Sequence, residues 1–162
     1  MSVISVTTDM WALNREKSLA LLDRIDETGE SQAILGWRPG PGRAHIAWQL
    51  MHIGVTEELF ATERILGTKA SFEDVVPRFR GGSTPDDDPP VSEAIRDLLA
   101  SSREHLLETI EQFSDSDLKT IPKPMQERGW SLGHILKILN WHEPHHQGQA
   151  HITLNLWLAA HG

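Results

Sequence analysis

Apolar residues in this chain recur mainly every three or four positions, the spacing of one helix face, and glycine and proline gather in a few breaks. The first clean segment runs from about Thr8 to Thr28, with Thr8 or Asp9 as N-cap and Gly29 behind its end. Met10, Leu13, Ala20, Leu21 and Ile25 mark its apolar face. "GWRPGPGR" (36–43) cannot continue a helix. The second segment spans Ala44 to Leu66, with the stripe Trp48, Met51, Val55, Leu59 and Leu66 and with Gly67 as terminator. A long connection follows, including "GGSTPDDDPP" (81–90), and is expected to be irregular and exposed. Ser92 is the expected cap of a third helix carrying Ile95, Leu98, Leu99, Leu106 and Ile110. After a loop with Pro122 and Pro124, Ser131 caps a last segment to Ala160, apolar at Leu132, Ile135, Ile138, Leu139, Ile152 and Leu156. No stretch reads as a strand. The pattern predicts an all-α fold: one domain over residues 1–162, a four-helix bundle with a long irregular connection between helices 2 and 3.

Histidines interrupt two of these stripes. Positions i and i+4 lie about 40° apart around a helix, so His142 and His146 point the same way and continue the stripe Ile135–Ile138–Leu139. Gln149 and Thr153 come next, where a core should be apolar. His52 lies inside the stripe of the second helix, between Trp48 and Val55. Burying an unpaired imidazole costs on the order of 1–3 kcal/mol, so each ring needs a partner. A lone buried histidine is ordinarily satisfied by a hydrogen bond, and the i, i+4 pair alone is compatible with that. A third ring on a separate core stripe shifts the balance to metal. His52, His142 and His146 would then form a catalytic-type site for Zn²⁺ or Ni²⁺. His45, seven residues before His52, is the main substitute, and His145 is a weaker partner for His142. His105, His134, His151 and His161 are read as surface or rim residues.

Composition narrows the chemistry. A chain of 162 residues with 39% hydrophobic and 23% charged residues is ordinary for a soluble domain. The net charge of −8, with no Lys/Arg cluster in sequence, argues against nucleic acid as a partner. No apolar run approaches the ~20 residues needed to cross a bilayer, so no membrane partner and a cytoplasmic location are expected. There is no cysteine, which leaves histidine and carboxylate as metal ligands and means that any thiol must come from a small cosubstrate.

"HEPHHQGQAH" (142–151) also spells H-E-x-x-H, the zinc signature of many metalloproteases, with Glu143 as general base. Three features oppose that reading. Pro144 lies inside the motif, where proline costs ~3 kcal/mol in a helix. Only 16 residues follow His146 to supply a third ligand, and Gly148 and His151 each fall one place early for the longer H-E-x-x-H-x-x-G-x-x-H form. No sheet is visible to line a peptide. A di-iron bundle is also weak, because Glu143-x-x-His146 has no second Glu-x-x-His.

"HEPHHQGQ", together with "WQLMHIGVTEE" in the second helix, resembles the DinB/YfiT-like superfamily. The resemblance implies a four-helix bundle, a homodimer, and a divalent metal held by one histidine of the second helix and two, four apart, of the last. Carried over, these are His52, His142 and His146. It also implies a small-molecule substrate and activities such as metal-dependent transfer to low-molecular-weight thiols, thiol-dependent isomerisation or hydrolysis. The chain departs from the usual pattern at Gln147, where an arginine is common, and at Pro144.

The expected function is a metal-dependent enzyme activating a small thiol or water, of the thiol S-transferase type. The alternatives are a metal-dependent hydrolase and a non-enzymatic metal-binding or stress-response module. Glu143 is weighed as a ligand-orienting or proton-accepting group against a surface role, Gln149 as a hydrogen-bond support for the site against a plain core polar contact, and Trp141 as core or dimer-face packing against a pocket-lining role. Pro144 predicts a distorted helix near 140–144 that still aims both histidines at one metal. Because protons compete with metal for imidazole, the metal-loaded protein is expected to lose more stability than the apo protein between about pH 7 and 5.

Overall fold

The computed structural model describes residues 1–162 and contains helices and no strand. α1 spans Val3–Asp26, α2 Ser31–Gly36, α3 Ile46–Leu59, α4 Val76–Phe79, α5 Ser92–Ile110 and α6 Leu132–His161. α3 continues without a break into a π-helical stretch, Phe60–Leu66.

α1 begins five residues before the expected Thr8. Ser2 is the N-cap and accepts from the Ser5 N–H at 3.0 Å. The next free donors, Val3 and Ile4 N–H, are taken by the Asp115 carboxylate at 2.7 and 3.1 Å. A carboxylate at a helix N-terminus also meets the positive end of the dipole. This cap arrives from 111 residues away, so local pattern could not announce it. Thr8 instead bonds back to the Ser5 carbonyl. The buried face of α1 is Trp11, Arg15, Ser18, Leu21, Leu22 and Ile25; Met10, Leu13 and Ala20 face solvent.

α3 is buried on nearly every side, which explains why its apolar stripe was a coarse guide. Gly54 permits its close contact with α5: a Cβ there would lie 3.0 Å from Leu98 and 3.3 Å from the Ser102 hydroxyl. Gly67 ends the π stretch in the left-handed region (φ 70°), which glycine adopts at no steric cost.

The connection from 67 to 91 is less exposed than expected. It contains α4, packed on α3, and it buries Ala70, Val76 and Phe79. Arg78 ties Asp86 at 2.9 and 3.1 Å and so folds 81–90 back on itself. α2, unforeseen in the sequence, buries Ile34 and Leu35 in a single short turn region. In α5 the five expected core residues are all buried, but Ser92 is its first residue rather than its cap and donates to Asp26 at 2.8 Å. Ser131 does cap α6, accepting from His134 N–H at 3.3 Å.

The four long helices pack with α3 against α5 and α6, and with α1 against α6 and α5. Their apolar side chains form two separate clusters. One joins Leu22, Leu50, Ile53, Leu99 and Leu154; the other joins Trp11, Phe60, Leu106, Ile135 and Leu139. A layer of buried charge separates them.

Candidate metal centre

The separating layer is a four-membered ion network with one member from each long helix. Arg15 Nε meets Glu143 Oε1 at 2.8 Å, and its Nη2 meets Glu57 Oε2 at 3.0 Å. Arg103 Nη2 reaches Glu57 Oε1 at 2.5 Å and Glu143 Oε2 at 2.6 Å. Ser18 donates to Glu143 Oε1 at 2.8 Å, and the remaining guanidinium donors go to the Leu99 and Trp11 carbonyls. Burial alone would lower the Arg15 pKa, but the charges of Glu57 and Glu143 outweigh it and hold the group above its ordinary value. Two cations and two anions cancel, which is the condition for tolerating buried charge.

Directly beside this layer, α3 and α6 bring three imidazoles together. One ring nitrogen each from His52, His142 and His146 lies within 4.8 Å of the other two. Nε2 of His52 and Nε2 of His142 are 3.1 Å apart. Two nitrogens on one tetrahedral cation at 2.0–2.1 Å would be separated by roughly 3.3 Å. The pair is therefore close to chelating separation.

Hydrogen bonds decide which nitrogens face inward. His52 Nδ1 lies 2.7 Å from the Phe79 carbonyl, which only accepts, so Nδ1 carries the hydrogen and Nε2 keeps its lone pair. His146 Nδ1 donates to Gln49 Oε1 at 2.5 Å, which frees its Nε2 in the same way. Gln49 then donates to Gln149 Oε1 at 3.0 Å, and Gln149 donates to His145 Nε2 at 2.8 Å. The expected support from Gln149 thus acts one link further out, and Gln49 makes the direct contact. Gln49 sits three residues before His52 and is itself buried, a polar residue on a core face that the pattern could have flagged. Trp48 stacks on the His52 ring, with centroids 4.6 Å apart and planes 12° from parallel.

All three rings are held neutral. Burial, then the proximity of His146, His52 and His145, lowers the His142 pKa to about 2. Burial and the neighbouring His52 and His145 lower His146 to about 3. His52 is lowered as well, first by burial. Neutral imidazole is the metal-binding form, and a borderline divalent cation fits a donor set of three such nitrogens.

His45, His105 and His145 have partners of their own. His45 is the N-cap of α3: its Nδ1 accepts from Trp48 N–H at 3.0 Å, and its Nε2 meets the Asp86 carbonyl at 3.0 Å. It is no substitute for His52. His105 pairs with the buried Glu58 at 2.9 Å. His145 stacks on Trp141, which is 60% exposed and lines a surface groove with Met10 and Pro144, not the core of the chain.

Two further expectations change. Glu143 is neither on the surface nor free to accept a proton; it is 2% exposed, and both of its oxygens are occupied by Arg15, Ser18 and Arg103. The true core face of α6 runs Leu139–Glu143–Ala150–Leu154–Trp157, which leaves Ile152 and Leu156 outside. Pro144 lies inside α6 without ending it. The helix stays α-helical throughout, and the Asn140 carbonyl, left without its partner, faces the Asn14 side-chain amide at 3.5 Å. That contact is at the outer limit of a hydrogen bond.

A sequence profile of the DinB superfamily matches residues 10–150. No curated protein matches the chain significantly.

Proposed function

The chain belongs to the DinB superfamily, and from that premise we propose a metal-dependent enzyme in which His52, His142 and His146 hold one divalent cation, zinc or nickel. The observation that carries the reading is the fixed tautomers of two rings: Phe79 and Gln49 occupy the Nδ1 hydrogens of His52 and His146, so Nε2 of each keeps its lone pair, and one nitrogen of each of these rings lies within 4.8 Å of the other and of one from His142. A cation bound there would lower the pKa of a thiol or water that coordinates it. Having no cysteine, the protein would draw its thiol from a small cosubstrate, as in a thiol S-transferase. The ion network keeps Glu143 from serving as the general base of a zinc protease. A cytoplasmic location is proposed with this chemistry; no helix is long and apolar enough to cross a membrane.

The test is the metal content of untagged protein. About one divalent ion per chain is expected, lost in His52→Ala, His142→Ala and His146→Ala and kept in His45→Ala. Undiminished metal in the first three variants would remove the assignment. Turnover of electrophile panels with and without small thiols then separates a transferase from a hydrolase, and no turnover in either panel favours a non-enzymatic module.

A homodimer is part of the same proposal. Val3, Val6, Met10 and Leu13 are all exposed at helical spacing on α1, and Met10 shares a surface groove with the exposed Trp141 of α6. Light scattering should give twice the chain mass, and Met10→Glu should return it to the monomer value.

A further inference from the structure

The loop "GWRPGPGR" (36–43) walls a cavity of about 550 Å³ beside the metal centre, a volume within the range of small-molecule sites. Residues 39–44 form one wall, the Gln149–Leu156 stretch of α6 the other, and Gln49 of α3 joins them. The loop is tied in place. Arg43 N–H donates to the Gly40 carbonyl at 3.2 Å, and Gly42 between them takes φ 69°, which glycine adopts at no steric cost. Arg38 donates to the Arg43 carbonyl at 3.3 Å and to the Pro85 and Asp86 carbonyls at 2.8 Å. This wall is formed before any ligand arrives, which lowers the ordering cost of binding.

The lining is apolar with a few polar groups. Ile152 and Leu156, four apart on one face of α6, are both exposed and both line the cavity. Gln49 is buried, and its Nε2 donates to Gln149 Oε1 at 3.0 Å, so the two amides stand side by side. Gln149 Nε2 in turn bonds to His145 at 2.8 Å. Each amide nitrogen therefore spends one N–H and keeps a second without a partner. Arg43 is the one charged residue of the lining, and its guanidinium makes no ion pair and no hydrogen bond. Asp86 and Asp87, the acidic residues in contact with the loop, are held by Arg78 and Arg38, each at 2.9 Å. Gln49 also accepts from His146 Nδ1, so the cavity wall lies one hydrogen bond from a proposed metal ligand.

We infer that this cavity binds a small molecule carrying a carboxylate on an apolar body: Arg43, Gln49 and Gln149 take the carboxylate, and Ile152 and Leu156 take the body. A single guanidinium with neutral amide donors matches a monoanion, and charge-assisted bonds to Arg43 supply the orientation. Covering Ile152 and Leu156 removes apolar surface from water and supplies the affinity. The use of this site to anchor the enzyme's substrate rests on the metal-enzyme reading; the binding site itself does not.

The experiment titrates hexanoate into the zinc-loaded full chain at low ionic strength. NMR follows the methyl signals of Ile152 and Leu156 and the side-chain amide signals of Gln49 and Gln149. Hexanamide controls for the charge and acetate for the apolar body. Hexanoate should shift all four residues along one saturation curve. Hexanamide and acetate should each bind about tenfold or more weakly, one lacking the charge-assisted bonds and the other the buried methylenes. Arg43→Gln, at an exposed position, should weaken hexanoate by about the same factor and leave zinc affinity unchanged. Ile152→Asp, also at an exposed position, should abolish saturation. Shifts that fail to saturate, equal affinity for hexanamide, or unchanged affinity in either variant would overturn the inference. So would methyl signals that move on dilution of the protein alone, because a second copy would then cover the groove. Repeating the titration without zinc separates the two readings. If the chain takes up no zinc and still binds hexanoate, the metal reading falls and this one stands; normal zinc binding with no hexanoate response is the reverse.

Discussion

Gln49 reaches the metal centre through an imidazole, and its effect should appear in affinity before stability. A partner on the outer nitrogen of a ligating histidine fixes tautomer and ring orientation, and its loss typically lowers metal affinity 10–100-fold. Gln49→Ala removes the acceptor of His146 Nδ1–H and leaves Gln149 without its donor. Zinc affinity, measured by chelator competition, should therefore fall by about tenfold or more while the helical signal is unchanged. Affinity within twofold of the parent would show that His146 needs no orienting. At this scale the sequence was informative wherever a polar residue interrupted an apolar stripe: His52, His142 and His146 could be picked out that way. It was silent about tautomers, because Phe79 and Gln49 are brought to the rings only by α4 and α3 packing. His45 shows the converse, a residue of the right type and phase whose two nitrogens are both taken by the backbone.

The long helices are joined by their polar residues as much as by their apolar ones. Arg15, Glu57, Arg103 and Glu143 come from four different helices, and none has a local signal of pairing. Read singly, Arg15 on α1 and Glu143 on α6 look like solvent-facing charges; this is why the predicted faces of both helices were rotated and why Met10, Leu13, Ile152 and Leu156 were misplaced. The face of α5 was legible, because Ile95, Leu98, Leu99, Leu106 and Ile110 dominate it and its buried polar residues, Ser102 and Thr109, are small and uncharged. Removing one member of a buried charge set leaves its partner uncompensated and typically costs about 3–5 kcal/mol. Glu143→Ala should lower the unfolding free energy by about that amount in urea denaturation, since Arg15 and Arg103 would both lose an anion. A change below about 1 kcal/mol would mean that water reaches the layer and replaces the carboxylate. Pro144 and the π stretch complete the picture at this scale. The proline has an obvious sequence signature and leaves the helix α-helical, whereas Phe60–Leu66 widens with no signature at all.

For the whole molecule, the buried imidazoles tie stability to pH, and the sign follows from their direction of shift. His142 and His146, lowered to about 2 and about 3 in the folded chain, stay neutral there at pH 5, while the same rings in the unfolded chain take up protons below ~6.5. The unfolded state then binds more protons, so stability is full above ~6.5 and is lost as pH falls toward the folded values. Each ring that stays fully neutral contributes a loss approaching about 1.4 kcal/mol per pH unit; His146, only partly buried, contributes less because solvent screens it. His52 and His45, both lowered chiefly by burial, add to the same slope. This alters the expectation drawn from free imidazole. At His142 and His146, already neutral in the folded chain, protons do not compete with metal over this range, so the apo protein carries that part of the pH dependence by itself. Between pH 7 and 5, apo and zinc-loaded protein should both lose melting temperature, with the gap between them preserved at fixed free zinc. A gap that closes by pH 5 would show that the rings titrate near 6 in the folded chain, and the buried centre would have to be abandoned for a solvated one.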